Sequence, residues 1–126
     1  MTPHDHRSAP EAPEIHPAGE PVRHVAAPDP RRVEAAADLL ACLAAPRRLA
    51  IVALLAEGPM CVHEIVDALG ANQPLVSQHL RVLKHAGVVG ARRRGRESVY
   101  SLADGPAVAL LDIVGLLPAG ARAVAG

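Results

Sequence analysis

Asn72-Gln73-Pro74-Leu75-Val76-Ser77-Gln78-His79-Leu80-Arg81-Val82-Leu83-Lys84-His85-Ala86-Gly87-Val88-Val89 is the stretch that decides the fold of this 126-residue chain. Asn72 can cap a helix, Pro74 suits a first turn and Gly87 is a stop, so the spacing predicts one helix between them. With Val76 as the centre of its inward face, Leu80 and Leu83 lie within about 40° on a 3.6-residue wheel. Pro74, Ser77, Gln78, Arg81 and His85 fall on the opposite side, in a stretch without a single carboxylate. Hydroxyl, amide and guanidinium groups in that setting suit base edges and phosphates. His79 lies beside the apolar stripe and is given a packing or hydrogen-bonding role under the helix.

The flanks turn this helix into a motif. Upstream, Val62, Ile65, Val66 and Leu69 share one face of a short helix that Gly70 closes. The connection Gly70-Ala71-Asn72 then makes a helix-turn-helix. Downstream, Val88-Val89 opens a strand, Arg93-Arg94-Gly95-Arg96 reads as a turn, and Ser98 to Leu102 as a returning strand. Such a basic hairpin is a wing. Net charge is zero, yet between Asn72 and Tyr100 six basic residues stand against the single acid Glu97, a local phosphate-binding footprint. The candidate contacts to double-stranded DNA are Gln73, Pro74, Ser77, Gln78, Arg81, Lys84 and His85, with Arg92, Arg93, Arg94 and Arg96 as interchangeable phosphate contacts on the wing.

Further out, Asp29-Pro30 starts a first helix running to about Ala44, and Pro46 starts a second running to about Glu57. Asp104-Gly105-Pro106 restarts a last helix through about Leu117, apolar around most of its circumference. The expected architecture is mainly α with a small β-hairpin wing: a winged helix-turn-helix in the order α-α-α-α-β-β-α. Residues 1–28, with six prolines and four histidines, read as a disordered arm, residues 29–118 as the DNA-binding and dimerisation domain, and 119–126 as a flexible tail. The chain has no Phe or Trp and one Tyr. A short-chain aliphatic core in under about ninety residues is marginal, so the last helix is expected to pair with its copy in a homodimer. No apolar run is long enough for a membrane span and no signal-peptide pattern is seen, so a cytoplasmic protein with no membrane partner is expected.

With that order in place, the sequence resembles the ArsR/SmtB family of winged helix-turn-helix, metal-responsive repressors, and within it the mycobacterial-type SmtB zinc sensors. The resemblance is carried by Leu43-Ala44-Ala45-Pro46-Arg47-Arg48-Leu49, Cys61-Val62-His63-Glu64-Ile65, the stretch from Gln73 to Val89, and Gly95-Arg96-Glu97-Ser98-Val99-Tyr100-Ser101-Leu102. It implies a dimeric repressor that sits on an imperfect palindromic operator and leaves it on binding a transition metal such as zinc. That response requires the metal to bind the off-DNA state more tightly.

Two metal locations are known in such proteins. On the terminal helix, Asp104 is retained, but Pro106 and Leu117 stand where histidines are expected, and no His follows His85. At the start of the third helix, the family's Cys-x-Cys reads Cys61-Val62-His63. Cys61 falls at the N-cap, where the helix dipole is expected to lower a thiol's pKa. The arm could add His4, Asp5 and His6, with His16 and His24 as substitutes. One thiolate and imidazoles suit Zn²⁺, with Ni²⁺ and Co²⁺ as alternatives; the fold itself requires no metal. The competing assignment makes Cys61 a small buried residue and His63 a solvated one, in a regulator that responds to thiol oxidation or to a partner protein. Cys42, beside Leu39 and Leu43, reads as a packing thiol. No nucleophile–base pairing, phosphate-cradling glycine loop or carboxylate cluster is evident, so an enzyme is not expected.

Overall fold

Each helix begins where the sequence supplies a start signal. Asp29 accepts a hydrogen bond from the Arg31 N–H at 3.0 Å, and Pro30 opens α1 (Pro30–Leu43). Pro46 opens α2 (Pro46–Leu55), whose N-cap Ala45 has no side chain to offer. The Arg48 guanidinium instead reaches back to donate to the Cys42 carbonyl at 2.9 Å, tying the end of α1 to the start of α2 and placing a cation at a helix C-terminus. α3 (Val62–Leu69) stops at Gly70, whose φ of 63° is the left-handed conformation that glycine adopts without strain. In α4 (Gln73–His85), Asn72 Oδ1 accepts from the Leu75 N–H at 2.9 Å. The last helix, α5, spans Pro106–Ile113.

The computed structural model describes Gly19 and residues 23–120. The proposed arm and tail fall largely outside that range, as do His4, Asp5, His6 and His16.

Three strands complete the fold. β2 (Val89–Arg94) and β3 (Glu97–Leu102) pair antiparallel, joined by the two-residue loop Gly95-Arg96. Gly95 takes a φ of 67°, as a two-residue hairpin with glycine at its first position requires. The turn is therefore tighter than expected: Arg93 and Arg94 belong to the ladder. A strand that sequence reasoning missed, β1 (Met60–Cys61), pairs with β3 through Met60↔Tyr100 and Cys61↔Val99, giving the order β1-β3-β2. α2 ends two residues earlier than expected and α5 four earlier, although Leu117 still returns to the core at 7% exposure.

The core is aliphatic. Ile51, Val52, Ile65, Val76, Leu80, Leu83 and Leu111 are its fully buried side chains, and Cys42 packs among them as expected, with the half-buried Tyr100 against its edge. α3 and α4 are thus held by the same cluster that anchors the wing through Val88 and Val89. Apolar side chains also remain uncovered. Val33 and Leu40 on α1 are 51% and 52% exposed, and Ile113 is 80% exposed. No helix among the described residues is long and apolar enough to cross a membrane.

Candidate nucleic-acid interface and metal centre

α4 presents the face its periodicity predicts. Val76, Leu80 and Leu83 point inward, while Gln73, Pro74, Gln78, Arg81, Lys84 and His85 are exposed and Ser77 is half-buried. His79 is also half-buried. Burial first, then the nearby Arg48 and Arg47, hold its imidazole below the ordinary histidine pKa. A group whose folded pKa is depressed takes up its proton first in the unfolded chain. The wild-type protein should therefore lose stability as pH falls below the ordinary histidine range. His79→Gln is expected to lose less between about pH 7.5 and 5; urea midpoints that fall equally for both would refute the assignment.

The sheet separates the wing arginines that sequence reasoning treated as interchangeable. Paired residues in a ladder share a face. Arg92 opposite Val99 and Arg94 opposite Glu97 therefore lie on the face that also carries Cys61, which pairs with Val99. Arg93, opposite Ser98, lies on the other face, and Arg96 is in the turn. All four are exposed.

On the first of these faces Pro59, Cys61, His63, Glu64, Arg92, Arg94, Glu97 and Val99 surround a groove of about 570 Å³. Its floor holds three donors of different chemistry. Cys61 Sγ lies 3.2 Å from His63 Nδ1, and His63 Nδ1 lies 3.6 Å from Glu97 Oε2. One ligand atom from each of Cys61, His63 and Glu97 can be chosen with all three within 4.8 Å of one another. Zinc–ligand bonds of about 2.0–2.3 Å in a tetrahedron imply donor separations of roughly 3.3–3.8 Å. Small side-chain adjustments would suffice, so thiol, imidazole and carboxylate fit a borderline ion such as Zn²⁺ and leave one position for a further ligand.

The structure corrects the expectation for the thiol. Glu64, at the third position of α3, accepts from the Cys61 backbone N–H at 2.9 Å and from Sγ at 3.2 Å. Burial, followed by that thiol hydrogen bond, pushes the Cys61 pKa up, the reverse of the dipole effect expected from its N-cap position. The bond from the Cys61 backbone, then that from the thiol, keeps Glu64 below its ordinary pKa and hence ionised. An activated nucleophile would call for a depressed thiol pKa, the opposite of the direction in which burial and Glu64 push Cys61. A metal would have to displace the thiol proton toward Glu64 or solvent.

Glu64 and Glu97 were both missed as site residues. Cys-x-x-Glu has the spacing of a capping box with Cys in place of Ser, so Glu64 could have been found. Glu97 could not, because its proximity depends on β1. Among the described residues His24 is exposed and is not part of the cluster. On either side of α5, Asp104 is exposed before the helix while Leu117 is buried as core after it.

A sequence model described as bacterial regulatory protein, arsR family, matches residues 45–90. An uncharacterized HTH-type transcriptional regulator of Methanocaldococcus jannaschii is 40% identical over 84 residues, covering 66% of this chain and 94% of that protein. The chain belongs to the arsR family of bacterial regulators. This arsR-family chain also shares 61% identity over 79 residues with the HTH-type transcriptional repressor SmtB of Mycobacterium tuberculosis. That match covers 62% of the chain but only 58% of the repressor, less than two thirds of its length. Among solved structures, the homodimeric winged helix-turn-helix DNA-binding domain of a possible ArsR-family regulator from Mycobacterium bovis aligns with a TM-score of 0.64 at 32% identity, covering 75% of this chain and 88% of that domain. The matched proteins are described as regulators of transcription.

Proposed function

We propose that the chain is a homodimeric transcriptional repressor that binds operator DNA and is released from it by a transition metal, Zn²⁺ first among the candidates, with Ni²⁺ and Co²⁺ next. The observation that carries the DNA half is the exposed, carboxylate-free face of α4, set beside a hairpin with four exposed arginines. α4 would read base edges through Ser77, Gln78 and Arg81, with Gln73, Pro74, Lys84 and His85 on the flanking backbone. Arg92, Arg93, Arg94 and Arg96 would hold phosphates. The uncovered apolar residues of α1 and α5 are the natural contact with a second copy, which supplies the two-fold symmetry that a palindromic site demands.

The metal half rests on Cys61 and His63, joined by Glu97; His4 and His6 of the arm, or His16 or His24, are candidates for the remaining position. A bound ion would supply charge and a fixed geometry, and the proton that Cys61 gives up would pass by way of Glu64 to solvent. Thiol oxidation is the poorer explanation of regulation. Cys42 and Cys61 are both buried free thiols, and burial first, then the hydrogen bond to Glu64, pushes the Cys61 pKa up rather than down.

The test uses a fluorescent duplex selected from a random pool by the metal-free protein. Zinc titrated into the reduced complex should weaken binding about 5- to 150-fold, the usual span of such couplings. Cys61→Ser should show almost none of that change. If submicromolar free zinc leaves the wild-type complex intact, metal release is wrong; if it dissociates both proteins equally, the Cys61 site is wrong.

A further inference from the structure

We infer that the wing is the element through which metal binding reaches the DNA surface: Glu97 ties the hairpin to the start of the helix-turn-helix when Cys61, His63 and Glu97 share an ion. The inference rests on the metal reading above and specifies its mechanism.

The three donors come from two parts of the fold. Cys61 and His63 stand at the N-terminus of α3, the first helix of the helix-turn-helix, whereas Glu97 is the first residue of β3, directly after the loop Gly95-Arg96. β1 supports β3 only at Val99 and Tyr100. Beyond them the pairs Arg93↔Ser98 and Arg94↔Glu97 form a two-stranded ribbon, and such ribbons are marginal on their own. Among the described residues, the side-chain contact that joins this ribbon to the body is His63–Glu97, at 3.6 Å between side chains 64% and 55% exposed. Contacts of that kind contribute little in water. Coordination would replace this loose contact with a firm one at the point where the third strand has run out.

The arginines beside that point are the ones proposed to hold phosphates. Glu97 is the cross-strand partner of Arg94 and follows Arg96 in sequence. Holding its carboxylate against Cys61 and His63 would fix the strand end that pairs with Arg94 and the turn that carries Arg96. Charge alone would act in the opposite sense. A divalent ion that displaces one thiol proton leaves the site one unit more positive, which favours phosphate, though salt screens the effect. Release must therefore come from the fixed position of the wing outweighing that attraction.

Hydrogen exchange on the full-length protein, with and without Zn²⁺, tests this directly. In wild type, zinc should slow the amides of residues 93–97 at least about tenfold, together with those at the start of α3. In Glu97→Gln and Glu97→Ala the α3 amides should still slow, while those of 93–97 should not. The ratio of operator affinities without and with zinc should shrink in the same variants. Wild-type wing protection and an undiminished ratio in both variants would overturn the inference and leave a Cys61–His63 metal site standing. If Co²⁺ gives no thiolate charge-transfer band with wild type, the metal reading itself fails and takes the inference with it.

Discussion

Leu80→Ala should cost about 2–5 kcal/mol of folding stability, enough to leave a chain of this size partly or wholly unfolded. Leu80 is 0% exposed at the middle of α4, where it meets the cluster shared by α2, α3 and the wing strands. Truncation removes both the transfer free energy of the leucine and the contacts of its neighbours, and alanine's better helix propensity returns only a few tenths of a kcal/mol. The core around Leu80 is built of Leu, Ile and Val without Phe or Trp, so short branched side chains must close the gap. Urea unfolding followed by circular dichroism gives the measurement. Val82→Ala, on the same helix but 37% exposed, should shift the midpoint far less. Equal shifts would mean that α4 is not oriented as described.

Arg81→Ala should weaken binding to the selected operator by about 1–3 kcal/mol, roughly 5- to 150-fold, and relax discrimination at one or two base positions. Its side chain is exposed on the outward face of α4, so the fold should tolerate the change. Arg93→Ala or Arg96→Ala provides the contrast. A lost phosphate contact lowers affinity for all duplexes alike and reduces the salt slope by about 0.9 per contact. Fluorescence anisotropy at several salt concentrations separates the two behaviours. If Arg81→Ala and Ser77→Ala both bind like wild type, α4 does not read the operator through this face.

The helices were legible because their ends are chemical. Asp29-Pro30, Pro46, Gly70, Asn72 and Gly87 act through local backbone geometry, and each marks an end of a helix where the sequence places it. The inward stripe of Val76, Leu80 and Leu83 was equally plain, since helical period alone sets it. β1 was not legible. Two residues have no period, and Met60-Cys61 becomes a strand only because Val99 and Tyr100 are there to pair with it. The same pairing brings Glu97 to Cys61, so two of the three donors of the candidate metal centre were visible as Cys-Val-His and the third depended on tertiary register. The direction of the Cys61 pKa was hidden for a related reason. The helix dipole acts from one end of α3, while Glu64 one turn on accepts the thiol hydrogen bond and works against it.

The position of β2 has a consequence for solubility. It is the outermost strand of the sheet, paired with β3 on one side only, and the free side of such a strand invites a strand from another molecule. Arg92, Arg93 and Arg94 set consecutive cations along that margin, so two copies approaching edge to edge bring like charges together. Stripping the wing of arginine would then do more than loosen the grip on phosphate. It would unmask a sticky border, and a variant lacking all three should be checked for self-association before any loss of operator affinity is credited to missing contacts.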